Sequence, residues 1–186
     1  MSNVDRPSDM ELYEKFLHGD TGAYDRLMIS YGDALTLYLF GCLHDWQDAE
    51  DLMIEAFARI MAKRPTIREG NFKAYLFKTG RNLAIRFASK RARIIQLSFD
   101  ECNDIAGNEL IEEKILSGEQ QRALYACLDR IEPELREALW LVYMEGMRYA
   151  EAAEVMKVST KKVDHLLSRG KKRMKAELIK EGITGA

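Results

Sequence analysis

Proline occupies only three of 186 positions, 7, 65 and 133, and no stretch sustains the alternation of a β-strand. Between those breaks apolar residues recur every three or four positions, the spacing of a helix that buries one face. The chain therefore reads as all-α. Helices are expected over about 9–18, 21–42, 48–62 and 72–93. The second sets Tyr24, Leu27, Met28, Tyr31, Leu35 and Leu39 on one side; the third aligns Leu52, Ala56 and Ile60; the fourth aligns Phe72, Leu76, Leu83 and Phe87. Pro65 and Gly70 mark a loop over 63–71. Residues 96–118 change character, with six acids (Asp100, Glu101, Asp104, Glu109, Glu112, Glu113) against Lys114 alone. They read as a linker, and a flexible tether of that length spans about 25 Å on average.

A second helical set begins near Glu119. Leu124, Leu128 and Ile131 form one stripe. Pro133 falls in a first helical turn, where a missing N–H is tolerated. Leu135, Ala138, Leu139 and Val142 form the next stripe, and Gly146 is placed to cap it. The expected organisation is an N-terminal helical bundle (9–95), an acidic linker (96–118) and a C-terminal four-helix domain (119–182).

Within the latter, residues 146–174 carry a helix-turn-helix pattern. A short apolar helix, Tyr149 to Met156, meets a three-residue break and then a helix with a cationic tail. Ala153, Val158, Val163 and Leu166 stand at the offsets buried between two such helices, and Ser159 is an N-cap for the second. Lys157 occupies a turn position that needs φ > 0, at a cost of roughly 1 kcal/mol. Thr160, Lys161, Lys162, Asp164, His165, Ser168 and Arg169 are the candidates to face a major groove. Lys171, Lys172, Arg173 and Lys175 extend the positive charge toward phosphates. Asp164 either accepts from a cytosine amino group or points to solvent; His165 is equally open.

The net charge of −2 conceals a block pattern. Residues 1–60 carry 4 basic and 12 acidic side chains, 61–93 carry 10 and 1, 94–156 carry 5 and 14, and 157–186 carry 9 and 3. Two cationic blocks in an otherwise acidic chain read as two polyanion contacts, against the plainer reading of two solvated helix faces. In the first block Lys63, Arg64, Arg68, Lys73, Lys78, Arg81, Lys90 and Arg91 mingle with Phe72, Tyr75, Phe77 and Phe87, beside the amides Asn71 and Asn82. Cations that follow a backbone and rings that stack on bases are what single-stranded DNA requires. Phe72 and Phe87 fit the core stripe; Tyr75 and Phe77 lie off it. Asn82 either reaches DNA or makes an internal packing contact. The acidic start of the third helix, with Asp48, Glu50, Asp51 and Glu55, reads as a docking face for a basic protein, or as carboxylates matched to the helix dipole.

Several classes find no support. Cys42, Cys102 and Cys127 are odd in number and dispersed, as suits a reducing cytoplasm rather than a disulfide framework. His18, His44 and His165 share no ligand spacing, so no metal is expected. The longest apolar run, 34–43, is too short for a bilayer, and the polar, acidic residues 1–10 do not resemble a signal peptide. No nucleophile–base set or Gly-rich phosphate loop is present. No enzymatic activity and no cofactor are expected.

Several segments together resemble the extracytoplasmic-function sigma factors of bacteria, the small two-domain class. Gly19-Asp20 and Ala23-Tyr24 open the first domain. Asp48-Ala49-Glu50-Asp51-Leu52, followed by Glu55 and Phe57, is similar to that family's polymerase-binding helix. The run from Phe72 to Ile85 is similar to its −10 helix. Arg136, Glu145-Gly146, Tyr149 to Ala153 and the helix after Ser159 are similar to its −35 domain. The resemblance covers about 9–95 and 119–180. It departs at Ile54, where Gln is common, at Arg86, where Asp is common, at Ile131-Glu132-Pro133, where the Leu-Pro is displaced, and at Lys157, where Gly is common.

The resemblance implies a transcription initiation factor of the cytoplasm that binds core RNA polymerase, through the β′ clamp helices and the β flap, and directs it to promoters. Asp48, Glu50, Asp51, Leu52, Glu55 and Phe57 would meet polymerase. Lys63, Arg64, Arg68, Asn71, Lys73, Tyr75, Lys78, Arg81 and Asn82 would hold the unpaired −10 strand, with a flipped base at the 63–71 loop. The helix after Ser159 would read the −35 duplex. An anti-sigma partner is also implied. The alternative is an ordinary helix-turn-helix regulator that binds duplex DNA without being a polymerase subunit.

Overall fold

The structure is a computed structural model that describes residues 7–68, 70–97 and 119–182. Every regular element among them is helical. They run as α1 (Asp9–Leu17), α2 (Thr21–Leu43), α3 (Trp46–Lys63), α4 (Phe72–Leu97), α5 (Glu119–Asp129), α6 (Pro133–Leu139), α7 (Tyr149–Met156) and α8 (Thr160–Lys180), with a π-helical turn, Trp140–Met144, directly after α6. The chain divides into two compact units, Met1–Leu43 with Gln47–Lys90, and Arg91–Ala186 with His44–Trp46.

The first unit is built from α1 to α4. Ser8 and Glu11 close α1 with a reciprocal capping box: Ser8 Oγ accepts from the Glu11 N–H at 3.2 Å and Glu11 Oε2 accepts from the Ser8 N–H at 2.6 Å. An aromatic cluster of Tyr13, Phe16, Tyr24, Phe57 and Phe72 fills the interior. The Tyr24 hydroxyl donates to the Phe57 carbonyl, so α2 is tied to α3 by a polar contact inside an apolar core. Tyr13 donates to the Pro65 carbonyl at 2.8 Å and fixes the start of the 63–71 loop on α1. At Gly80 a Cβ would stand 2.9 Å from Leu35 Cδ1, so α4 crosses α2 where it has no side chain.

Three sequence expectations shift here. Phe77, off the expected stripe, is fully buried and contacts Tyr38 ring to ring at 5.3 Å. Phe87, on that stripe, is only half-buried. The face that α4 buries therefore changes as it leaves the bundle. Its helix also continues to Leu97, so the first two residues of the 96–118 linker are helical; 98–118 lie outside the described residues.

In the second unit α6 does not continue as one α-helix to Gly146. After Leu139 the chain widens into the π-turn, which buries Trp140 and Leu141 and leaves Val142 half-buried. A regular helix would have pointed Val142 inward; the wider turn re-phases the strip so that two consecutive large side chains enter the core. Trp140 Nε1 donates to Glu145 Oε1 at 3.2 Å, and Gly146 adopts φ +66° as the chain turns.

The helix-turn-helix forms as its pattern requires. Ala152, Ala153, Val155 and Met156 of α7 are buried, as are Val163, Leu166, Leu167 and Gly170 of α8, while Val158 is half-buried. Ser159 Oγ accepts from the Lys162 N–H at 3.1 Å. A Cβ on Gly170 would lie 3.1 Å from both Leu139 Cγ and Cδ1, so α8 rests closely on α6. Lys157 sits at φ 57°, ψ 45°, the left-handed conformation inferred from the sequence. Its side chain is exposed, so nothing offsets the strain of its Cβ. Lys157→Gly is expected to raise the calorimetric midpoint of this unit by about 5 °C, the equivalent of about 1 kcal/mol. A clear fall in midpoint would contradict that turn.

Candidate nucleic-acid and protein interfaces

In the first unit, α3 and α4 enclose a small cleft of about 160 Å³. Arg59 and Lys63 reach it from one face of α3, four residues apart. Tyr75, Thr79, Asn82 and Arg86 reach it from one face of α4, at spacings of four, three and four. Ile60 and Leu83 form its apolar floor. Three cations, a half-buried tyrosine and an amide thus converge on a space of the size of one planar group. The Arg59 guanidinium is oriented by Glu55, which accepts from its Nη2 at 2.6 Å and its Nε at 2.9 Å. Thr79 Oγ1 donates to the Tyr75 carbonyl at 2.8 Å, so its hydroxyl oxygen retains acceptor capacity.

Of the nine residues expected to hold single-stranded DNA, the cleft gathers Lys63, Tyr75 and Asn82. Arg64 and Arg68 are exposed on the adjoining loop. Arg64 adopts φ 44° and its guanidinium lies 5.2 Å from the Phe16 ring centre, so its side chain also packs. Asn71 is half-buried at the start of α4, where its carbonyl accepts from the Tyr75 N–H. Lys73 lies on the opposite side of α4 from the cleft, its ammonium over the rings of Tyr31 at 5.6 Å and Phe77 at 5.7 Å. Lys78 and Arg81 are half-buried and do not line the cleft. Arg59, Thr79 and Arg86 were missed by sequence reasoning. Thr79 and Arg86 share a helical face with Tyr75, which the spacing within α4 shows, but the meeting of α3 with α4 is tertiary and leaves no local signal.

The acidic helix also sorts into two faces. Asp51 is exposed, and Asp48, Glu50 and Glu55 are half-buried at the surface. Leu52 and Phe57, both expected in the polymerase contact, are 6% and 1% exposed. They belong to the core of their own unit, because α3 must bury that stripe against the bundle, and cannot offer their side chains to a partner. The outward face carries Asp51, Ile54, Ala58 and Met61, at spacings of three, four and three. Ile54 is 54% and Met61 46% exposed. Exposed apolar side chains in a row beside carboxylates mark a protein contact more specifically than carboxylates alone.

In the second unit the seven expected groove-facing residues of α8 and the four cations expected to meet phosphates all reach the surface, though not equally. Lys161, His165, Ser168 and Lys172 form the stripe directly opposite Val163, Leu166, Leu167 and Gly170. Thr160, Asp164 and Lys171 lie on one flank. Lys171 stands 5.3 Å over the Tyr143 ring, and the Tyr143 hydroxyl raises the Lys171 pKa. Lys162, Arg169 and Arg173 lie on the other flank, where Lys162 is 3.4 Å from Glu134 and Arg173 is 3.1 Å from Glu132.

Comparison with known proteins bears on both units. The family sigma-70 region 2 matches residues 27–94, and sigma-70 region 4 matches residues 121–174. The ECF RNA polymerase sigma factor BldN of Streptomyces coelicolor is 30% identical over 152 residues, a span that covers 79% of this chain and 57% of BldN. The ECF RNA polymerase sigma factor SigM of Bacillus subtilis is 26% identical over 152 residues, covering 82% of this chain and 93% of SigM. The fold is similar to that of the sigma factor RpoE, in its co-crystal with the anti-sigma factor NepR from Bartonella quintana, with a TM-score of 0.68 at 23% identity over 83% of this chain and 96% of that one. Among the described residues no helix is long and apolar enough to cross a membrane.

Proposed function

Because this chain belongs to the RNA polymerase sigma factors of the extracytoplasmic-function group, we propose that it is a transcription initiation factor that binds core polymerase in the cytoplasm and directs it to promoters. The outward ridge of α3, Asp51 with Ile54 and Met61, docks on the β′ clamp helices. Carboxylates steer the encounter with a basic surface, and the apolar pair supplies the desolvated centre that holds it. The family also implies a contact with the β flap and an anti-sigma partner that covers the polymerase-binding surface.

The α3–α4 cleft takes an unpaired base of the −10 element. Tyr75 offers a ring, Asn82 an amide for a base edge, and Arg59, Lys63 and Arg86 the charge that draws a phosphate backbone past the opening. Strand opening is then driven by binding: each captured base offsets part of the cost of unpairing, and no group on the chain needs to break a covalent bond. The α8 stripe Lys161, His165, Ser168 and Lys172 faces the −35 major groove, with Lys171 and Tyr143 beside the phosphates. Arg64, Arg68, Asn71, Lys78 and Arg81 border the single-strand path without lining its cleft.

The observation that carries this reading is the presence, in one chain, of a cationic cleft sized for one base and a solvent-facing recognition helix on a separate unit. It is tested by adding the chain to core polymerase on pooled genomic fragments and mapping the 5′ ends of the transcripts. The expected result is a small set of start sites that share two spaced sequence elements. Initiation spread over unrelated sites, as with core alone, would contradict it.

A further inference from the structure

One flank of α8 meets carboxylates of its own unit. Glu132 and Glu134 stand at the start of α6, which Pro133 begins. Arg173 Nη2 donates to Glu132 Oε1 at 3.1 Å and Lys162 Nζ lies 3.4 Å from Glu134 Oε2. Arg169, one turn before Arg173, acts on Glu132 as well. The Glu132 carboxyl is held below its usual range, first by a hydrogen bond from its own backbone N–H and then by Arg173 and Arg169. The opposite flank is different in kind: Lys171 stands 5.3 Å over the Tyr143 ring and is influenced first by the Tyr143 hydroxyl, with Tyr149 and Asp164 acting on it more weakly. Hydroxyls can bind phosphate; carboxylates repel it.

All four paired side chains are 43% or more exposed, so the pairs themselves are weak and exchangeable. What persists when DNA arrives is the position of the two negative charges beside the cations that would otherwise meet the duplex backbone. Attraction to phosphate is independent of sequence, whereas the Lys161–His165–Ser168 stripe offers base readout. A reduced phosphate term raises the share of affinity that depends on the bases.

We propose that Glu132 and Glu134 set the strength of non-specific DNA binding: they offset Lys162, Arg169 and Arg173 in place and so hold down the sequence-independent affinity of α8 for duplex DNA. The proposal rests on the reading of α8 as the duplex-binding helix.

The test uses the full chain and its Glu132→Gln/Glu134→Gln variant, with Asp25→Asn/Asp33→Asn on exposed positions of α2 as a control for net charge. Affinity is measured for a short duplex of random sequence and for a −35 duplex taken from the mapped start sites, over a series of salt concentrations. The expected result is a gain of about tenfold on both duplexes at low salt, and a salt dependence steeper by roughly 0.9 in log–log slope for each freed cation. The control variant should gain less than about twofold. Equal affinity of parent and variant, where the parent binds, overturns the proposal and leaves the reading of α8 intact. No binding by either overturns both. A gain confined to the −35 duplex overturns the proposal, since it would show that the carboxylates act on base readout.

Discussion

The double substitution Asp51→Lys/Ile54→Lys is expected to weaken binding to core RNA polymerase by about 100-fold, the equivalent of about 2.7 kcal/mol. Both positions are exposed on α3, Ile54 at 54%, so the first unit keeps its core and its melting midpoint stays within about 3 °C. The effect comes from two sources. Ile54 loses its place as an apolar anchor, and two ammonium groups meet a surface that otherwise attracts carboxylates. Fluorescence anisotropy of labelled chain against core polymerase measures it. Parent-like affinity would move the docking surface off this ridge. Leu52→Ala and Phe57→Ala make poor probes, since both side chains lie in the core and their truncation costs roughly 2–5 kcal/mol of folding stability before any partner is met.

Tyr75→Ala is expected to reduce open promoter complex by at least about tenfold while leaving polymerase binding unchanged. Stacking of one base on an aromatic ring is worth about 1–3 kcal/mol, which is of the order of the cost of unpairing that base. The ring is half-buried at the cleft beside Asn82 and Lys63, and the nearby hydrogen bond from Thr79 goes to the Tyr75 carbonyl, which alanine retains. Permanganate reactivity of unpaired thymines in the holoenzyme–promoter complex reads the outcome. Tyr75→Phe keeps the ring and is expected to open the promoter nearly as the parent does. If Tyr75→Ala opens it equally well, the cleft is not where the base is held.

The helices were legible because periodicity is a one-dimensional signal. The strips in α2 and α3, the Ser159 cap and the left-handed Lys157 all followed from residue type and offset alone. What the sequence hid depends on phase and tertiary contact. The π-turn at Trp140–Met144 shifted the strip by one residue, burying Trp140 and Leu141 where Val142 was expected. Phe77 and Phe87 exchanged roles because α4 buries different faces along its length.

The interfaces were partly legible. The acidic helix was located by its charge, yet its outward residues include Ile54 and Met61, apolar side chains that composition assigns to a core. The cationic block 61–93 pointed to α4, but Arg59 lies outside that block and joins the cleft only through folding. The sequence marks Lys162 and Arg173 as DNA-facing cations; the acids that pair with them, Glu134 on α6 and Glu132 at its N-cap, come from another helix of the unit.

A polymerase subunit, unlike an independent DNA-binding regulator, must join core polymerase in the absence of DNA. Size-exclusion chromatography of the full chain with bacterial core RNA polymerase at low salt tests it most directly. The expected result is a stable one-to-one complex in which the chain co-elutes with core and is released by Asp51→Lys/Ile54→Lys. Elution of chain and core as separate species would contradict it.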